Sequence, residues 1–131
     1  MRKFGAIALL IMGMFIFSSE QAYATSTDSG VSNIKIVKTY DAKVSWYKHG
    51  KVTANGEKFN PNNLTVAHKT YSFGTIIRFT NLETKQVVIA RVNDRGPYIR
   101  GREFDVSLKC AIYLGITKIG VHRLKVEIFK G

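Results

Sequence analysis

Val87-Val88-Ile89-Ala90-Arg91-Val92-Asn93-Asp94-Arg95-Gly96-Pro97 begins as a strand and is made to stop as one. The β-branched residues at its front favour extended backbone. Pro97 has no amide to give a ladder and Gly96 permits a reversal, so pairing must end at this corner. Glu103 and Asp105 follow shortly after Asp94, in a chain of 131 residues that has only nine carboxylates. Acidic side chains are thus gathered on and just beyond a turn carried by a rigid strand, a placement common among catalytic groups.

Working outward, Ile34–Thr39, Ala42–Tyr47, Thr75–Thr80, Val87–Val92 and Leu124–Phe129 all read as short strands rich in Val, Ile, Thr or aromatics. Arg123-Leu124-Lys125-Val126-Glu127-Ile128 alternates polar and apolar residues, as a strand with one buried face does. The loop through Asn81 and Lys85 joins two of these runs and predicts a hairpin. One helix is predicted, over about Ser107–Leu114. Ser107 caps it, Leu108, Ala111, Ile112 and Leu114 form its apolar face, and Gly115 ends it. Many strands and one short helix make the chain all-β, a small barrel or sandwich. The loops over 50–73 and 94–103 are long for so small a domain, and long polar loops usually carry function.

The first residues set the compartment. Met1-Arg2-Lys3 is basic, Phe4 to Phe17 is almost wholly apolar, and Ala22-Tyr23-Ala24 has the small residues a signal peptidase needs. Residues 1–24 therefore read as a signal peptide and not as a membrane span. Residues 25–39 read as a flexible leader with the first strand, and 40–131 as the domain. Export across the inner membrane to the periplasm, envelope or exterior is expected, with no lipid anchor, because no cysteine lies near the cleavage site. Cys110 is the single thiol and sits in an apolar run, so it reads as a buried small hydrophobe, and the domain must rely on its core instead of disulfides. His49, His68 and His122 are scattered without cysteine partners, so no metal or other cofactor is expected. The formal charge of +11 suits an exported protein that meets anionic envelope polymers, not nucleic acid.

Two further groups stand out. Lys51-Val52-Thr53-Ala54-Asn55-Gly56-Glu57 is turn-rich and ends in an acid, and Leu64-Thr65-Val66-Ala67-His68 ends in a histidine beyond an apolar patch. Each has a plain structural reading beside the functional one. Glu57 taken alone reads as a surface carboxylate and His68 as a hydrogen-bonded structural ring. Asp94 can cap its own turn, and Asp105 can serve helix entry. Together the acids supply what glycosidic cleavage needs: a proton for the leaving oxygen and a charge to steady the sugar cation.

The residues from Ala42 to Phe129 closely resemble the double-psi β-barrel domain of the rare lipoprotein A family of peptidoglycan lytic transglycosylases. The resemblance is carried by Val44-Ser45-Trp46-Tyr47, Thr53-Ala54-Asn55-Gly56-Glu57-Lys58-Phe59, Leu64-Thr65-Val66-Ala67-His68-Lys69-Thr70 and Phe73-Gly74-Thr75. It continues through Val92-Asn93-Asp94-Arg95-Gly96-Pro97-Tyr98, Arg100-Gly101-Arg102 and Phe104-Asp105-Val106-Ser107. It implies a six-stranded barrel with interlocking psi loops and a groove. It also implies non-hydrolytic cutting of the β-1,4 bond between N-acetylmuramic acid and N-acetylglucosamine, leaving a 1,6-anhydro ring, often on strands stripped of stem peptides. The family's functional acid, histidine and aspartate map onto Glu57, His68 and Asp94. More distant barrels, among them family 45 endoglucanases and expansins, place an acid in a motif like Phe104-Asp105-Val106-Ser107, which keeps Asp105 open as the proton donor. The chain lacks the family's lipid-attachment cysteine and its sporulation-related glycan-binding domain, so a monomer without a stable membrane anchor is expected.

On this reading Asp94 or Asp105 protonates the glycosidic oxygen and then takes the proton of the muramic acid 6-hydroxyl. Glu57 and His68 position the sugar or steady its charge. Arg95 pairs with one Asp, and Asn55, Trp46, Tyr47 and Tyr98 contact substrate, with core or rim packing the alternative for the aromatics. The rival function is an expansin-like module that binds polysaccharide without cutting it.

Overall fold

The computed structural model describes residues 34–130; the expected signal peptide over 1–24 and the leader up to residue 33 lie outside them. Six strands and one helix follow in order: β1 (Ile36–Tyr47), β2 (Thr65–Ala67), β3 (Ile76–Thr80), β4 (Val87–Asp94), β5 (Phe104–Ser107), α1 (Leu108–Leu114) and β6 (His122–Phe129). The strands close into a barrel in the order β1-β5-β2-β4-β3-β6. The pairs β1/β5 and β2/β4 are parallel and the other four are antiparallel. Parallel neighbours cannot be joined by tight hairpins. The chain must cross the barrel between them, and this produces the double-psi barrel that the resemblance implied.

Alternation fills the interior. Ile77 and Phe79 of β3, Val88, Ala90 and Val92 of β4, and Leu124, Val126 and Ile128 of β6 all point inward. They meet Val44, Val66, Phe104 and Val106 in one apolar core. The predicted hairpin forms, with Ile76–Thr80 paired antiparallel to Val87–Arg91. Lys85 supplies the left-handed turn residue at φ 67°.

Three details differ from the sequence reading. The two strands expected at 34–39 and 42–47 are one, because Tyr40 and Asp41 pair with Val126 and Lys125 and leave no break. β2 and β5 were not expected as strands; all their residues are buried, so they show no alternation. In α1 the buried side chains are Cys110, Ala111 and Leu114, whereas Ile112 is exposed. Ser107 caps the helix by accepting the Cys110 amide, and Gly115 ends it at φ 71°. Among the described residues no helix is long and apolar enough to cross a membrane.

Candidate active site

The site is assembled where β2 and β4 end side by side. Their parallel register pairs Val66 with Val92 and then Ala67 with Asp94, so it slips by one residue opposite Asn93. Burial along β4 shows the consequence, since Val92 and Asn93 are buried in succession and Asp94 emerges half-exposed. A bulge re-aims the side chains beyond it. The His68 amide donates to the Asp94 carbonyl at 3.1 Å, which locks the two motif ends together.

The segment 51–58 folds over this corner as a tight turn. Thr53 N–H donates to the Glu57 carbonyl (2.8 Å) and Gly56 N–H to the Thr53 carbonyl (2.9 Å). Gly56 takes φ +93°, which side-chain-bearing residues avoid. The turn presents the Ala54 amide to Asp94 Oδ1 at 2.9 Å. The Arg95 amide reaches the same oxygen at 2.9 Å, and the Tyr47 hydroxyl donates to Oδ2 at 3.0 Å. Burial first, and then the Asp94 charge, push the Tyr47 phenol well above its usual pKa, so it stays protonated and donating. One face of the Tyr47 ring stacks on Phe59 at 4.7 Å.

Glu57 lies on the other side of the turn. The Arg91 guanidinium grips both its oxygens (2.6 and 3.0 Å), and Asn93 and Asn55 add donors at 3.0 and 2.8 Å. The Arg91 bonds first, then those of Asn93 and Asn55, hold its pKa at about 2. Glu57 is therefore a fixed negative charge, unsuited to donating a proton at neutral pH.

His68 is buried behind the corner. Its Nδ1 accepts the amides of Thr70 and Tyr71, both at 3.1 Å, and its Nε2 lies 3.3 Å from Glu103 Oε2. The ring stacks on Tyr71 at 4.0 Å and tilts against Phe104 at 4.8 Å. Burial lowers its pKa and Glu103 opposes that only in part. His68 and Glu103 line a concavity of about 530 Å³ with Lys43, Lys69, Arg102 and Arg123.

The structure thus gathers Tyr47, Asn55, Glu57, His68 and Asp94. The expected Arg95–aspartate pair is not made. The guanidinium reaches past Asp94 to the carbonyls of His68 (3.2 Å) and Tyr71 (2.8 Å) and lies 4.0 Å over the Phe73 ring, so only the Arg95 backbone serves Asp94. Asp105 does not open a helix. It stands within β5 opposite Ser45 and Ala67, and Arg102 binds both its oxygens. Trp46 packs partly buried against the core, and Tyr98 is 77% exposed on the 95–103 loop. The roles of Arg91, Asn93, Tyr40 and Glu103 escaped the sequence reading. Only Glu103 carried a signal, as an acid beside Asp105.

The profile of the family described as lytic transglycolase matches residues 39–126. A Synechocystis protein named probable endolytic peptidoglycan transglycosylase RlpA is 43% identical over 111 residues, which are 82% of this chain and 34% of that protein. The endolytic peptidoglycan transglycosylase RlpA of Campylobacter jejuni is 40% identical over 98 residues, 72% of this chain and 36% of its own. The chain spans about a third of the length of these relatives. Among solved structures, the Streptomyces papain inhibitor superposes with a TM-score of 0.61 at 15% identity, covering 73% of this chain and 98% of the inhibitor. The apo expansin of Clavibacter michiganensis gives 0.58 at 17% identity, covering 71% of this chain and 51% of the expansin. At such identities the two structures share the barrel and say nothing of chemistry. With the profile spanning most of the barrel and the Glu57, His68 and Asp94 motifs in place, the chain belongs to the lytic transglycolase family of double-psi β-barrels, together with the RlpA proteins.

Proposed function

We propose that this chain is an endolytic peptidoglycan lytic transglycosylase and that Asp94 is its general acid and base. The observation that carries the reading is the seating of Asp94. Oδ1 is held by two amides, while Oδ2 has a single donor, Tyr47, and lies on a half-exposed carboxyl. In Asp105, by contrast, a guanidinium occupies both oxygens, which leaves it a supporting role.

In its acid form Asp94 carries the proton on Oδ2, with the Tyr47 hydroxyl turned away from that oxygen, and gives it to the oxygen bridging N-acetylmuramic acid and N-acetylglucosamine as the bond to the anomeric carbon breaks. The muramic acid 6-hydroxyl oxygen then closes on that carbon and its proton passes to the ionised carboxylate. No water is consumed, the acid is regenerated, and the product ends in a 1,6-anhydro ring. Glu57, kept ionised by Arg91, faces the positive charge that develops on the sugar. Asn55 and Tyr47 keep the two carboxylates in place. The preferred substrate is a glycan strand stripped of stem peptides, met by a monomer in the envelope after export and loss of residues 1–24.

The test is incubation of the purified exported form with peptidoglycan, with and without prior amidase treatment, and mass spectrometry of the soluble products. Anhydro-ended fragments support the reading. Reducing ends alone would make the protein a hydrolase, and co-sedimentation without release would make it an expansin-like binding module.

A further inference from the structure

His68 is enclosed in a way that bears on what it does. A neutral imidazole has one nitrogen that accepts and one that donates. Nδ1 receives two backbone amides, from Thr70 and Tyr71, so it carries no proton. The ring proton is therefore on Nε2, where Glu103 Oε2 is the acceptor at 3.3 Å. Both in-plane positions are used within the protein, and Tyr71 and Phe104 pack against the ring.

Glu103 is held in turn. Its Oε2 also accepts the Tyr40 hydroxyl at 2.6 Å. That commits the only Tyr40 proton, so the Tyr71 hydroxyl, 2.9 Å away, donates to the Tyr40 oxygen. Tyr71 completes the circuit, since its ring stacks on His68 and its amide caps Nδ1. The Glu103 amide donates to the Lys43 carbonyl at 2.9 Å, which fixes the residue against β1. The charged groups nearest the ring are Glu103, the Arg95 guanidinium on the His68 carbonyl, and neighbouring Lys69, and Lys43, Arg102 and Arg123 line the same concavity, so cations outnumber carboxylates there.

We propose that Glu103, braced by Tyr40, is a positioning residue that fixes His68 as a neutral Nε2–H ring, so that His68 orients the site and transfers no proton. The route to the chemistry is short. The His68 amide holds the Asp94 carbonyl and the His68 carbonyl holds Arg95, so a ring that cannot turn keeps the Asp94 corner in register. The inference deepens the transglycosylase reading, and a misplacement of about 1 Å at such a corner can cost about a hundredfold in rate.

The experiment uses the exported form of the chain, labelled with nitrogen-15, and its Glu103→Gln and Glu103→Ala variants. Ring-nitrogen spectra of the wild type are recorded from pH 5.5 to 8, and product release is followed over the same range. The expected spectrum keeps an unprotonated Nδ1 and a protonated Nε2 for His68 throughout. Glutamine, which retains an acceptor oxygen, should keep turnover within about threefold, and alanine should lower kcat by about 10–100-fold with KM little changed. The pH limbs of the rate should be the same in all three proteins. A charged or Nδ1–H ring in the wild type would overturn the proposal, as would full activity in a folded alanine variant or a pH limb that vanishes in the glutamine variant. The spectra need no substrate, so a protein with the expected ring but no released product would sink the transglycosylase reading and leave the ring assignment standing.

Discussion

Replacing Asp94 with asparagine separates chemistry from architecture. The Oδ1 position keeps an oxygen, so the amides of Ala54 and Arg95, both at 2.9 Å, retain their acceptor. At the second position an amide NH₂ faces the Tyr47 hydroxyl across 3.0 Å, and the phenol must turn from donor to acceptor. All three bonds to the carboxylate change from charge-assisted, about 1.5–3 kcal/mol, to neutral, about 0.5–1.5 kcal/mol, a loss of about 1 kcal/mol for each and about 3 kcal/mol together. In a domain of this size each kcal/mol is about 4–8 °C in Tm, so the melt should fall by about 12–24 °C, and activity is compared at a temperature below both transitions. A lost general acid costs far more, about 10²–10⁴-fold in rate. Thermal melts and quantified anhydro-ended products from amidase-treated glycan, measured on the same preparations, check both numbers. An asparagine variant that melts as expected yet keeps more than about a tenth of the activity would refute Asp94 as the acid, given the size of that effect.

Other consequences follow from the same geometry. The folded pKa of Glu57, about 2, lies below its ordinary value of 4.5, so its stabilising contribution is complete above about 4.5 and is lost as pH falls toward about 2. A carbon-13 titration of the Glu57 carboxyl should show that low midpoint, and Arg91→Met should move it upward. Ser107→Ala removes both the cap on the Cys110 amide and the bond to the Asn63 carbonyl (2.6 Å), and should cost about 1–2 kcal/mol in urea unfolding. Gly115→Ala forces a side chain into φ +71°, with its Cβ 2.9 Å from Gln86 Oε1, and should cost about 1–2 kcal/mol by the same measurement. Neither helix-end change touches the carboxylates, so turnover at low temperature should stay near that of the wild type.

Much of the barrel was legible because much of it alternates. β3 and β6 show it as Phe79, Leu124 and Val126 set between polar or charged neighbours, while β4, with Val87 and Ile89 outward, reads as a strand by its β-branched run. β2 and β5 were illegible for the opposite reason. Their outer faces are covered by α1 and the 60–64 loop, through Ser107 Oγ to Asn63, Cys110 Sγ to Thr65 and Lys109 N–H to Pro61. With both faces covered, Thr65-Val66-Ala67 and Phe104-Asp105-Val106-Ser107 present no period at all, and Asp105 within a strand runs against propensity. β1 is longer than either strand expected there, because Tyr40 and Asp41, polar at their tips, are carried through by pairing with Val126 and Lys125 of β6.

The site divides along the same line. Asp94, Glu57 and His68 were legible as residue types in motifs, but which carboxylate is left without a guanidinium depends on partners that only folding supplies. Arg91 and Arg102 grip both oxygens of Glu57 and of Asp105, whereas Arg95, adjacent in sequence to Asp94, sends its guanidinium elsewhere. The deciding step is the slip at Asn93. Strict alternation from Val88, Ala90 and Val92 would turn Asp94 into the barrel interior, where an unpaired carboxylate is untenable. Burying Asn93 directly after Val92 reverses that parity, so Asp94 emerges at the surface beside the Ala54 amide and the Tyr47 hydroxyl. A one-residue slip flips every side chain after it, and in this chain the first side chain after the slip is the one we propose as the acid.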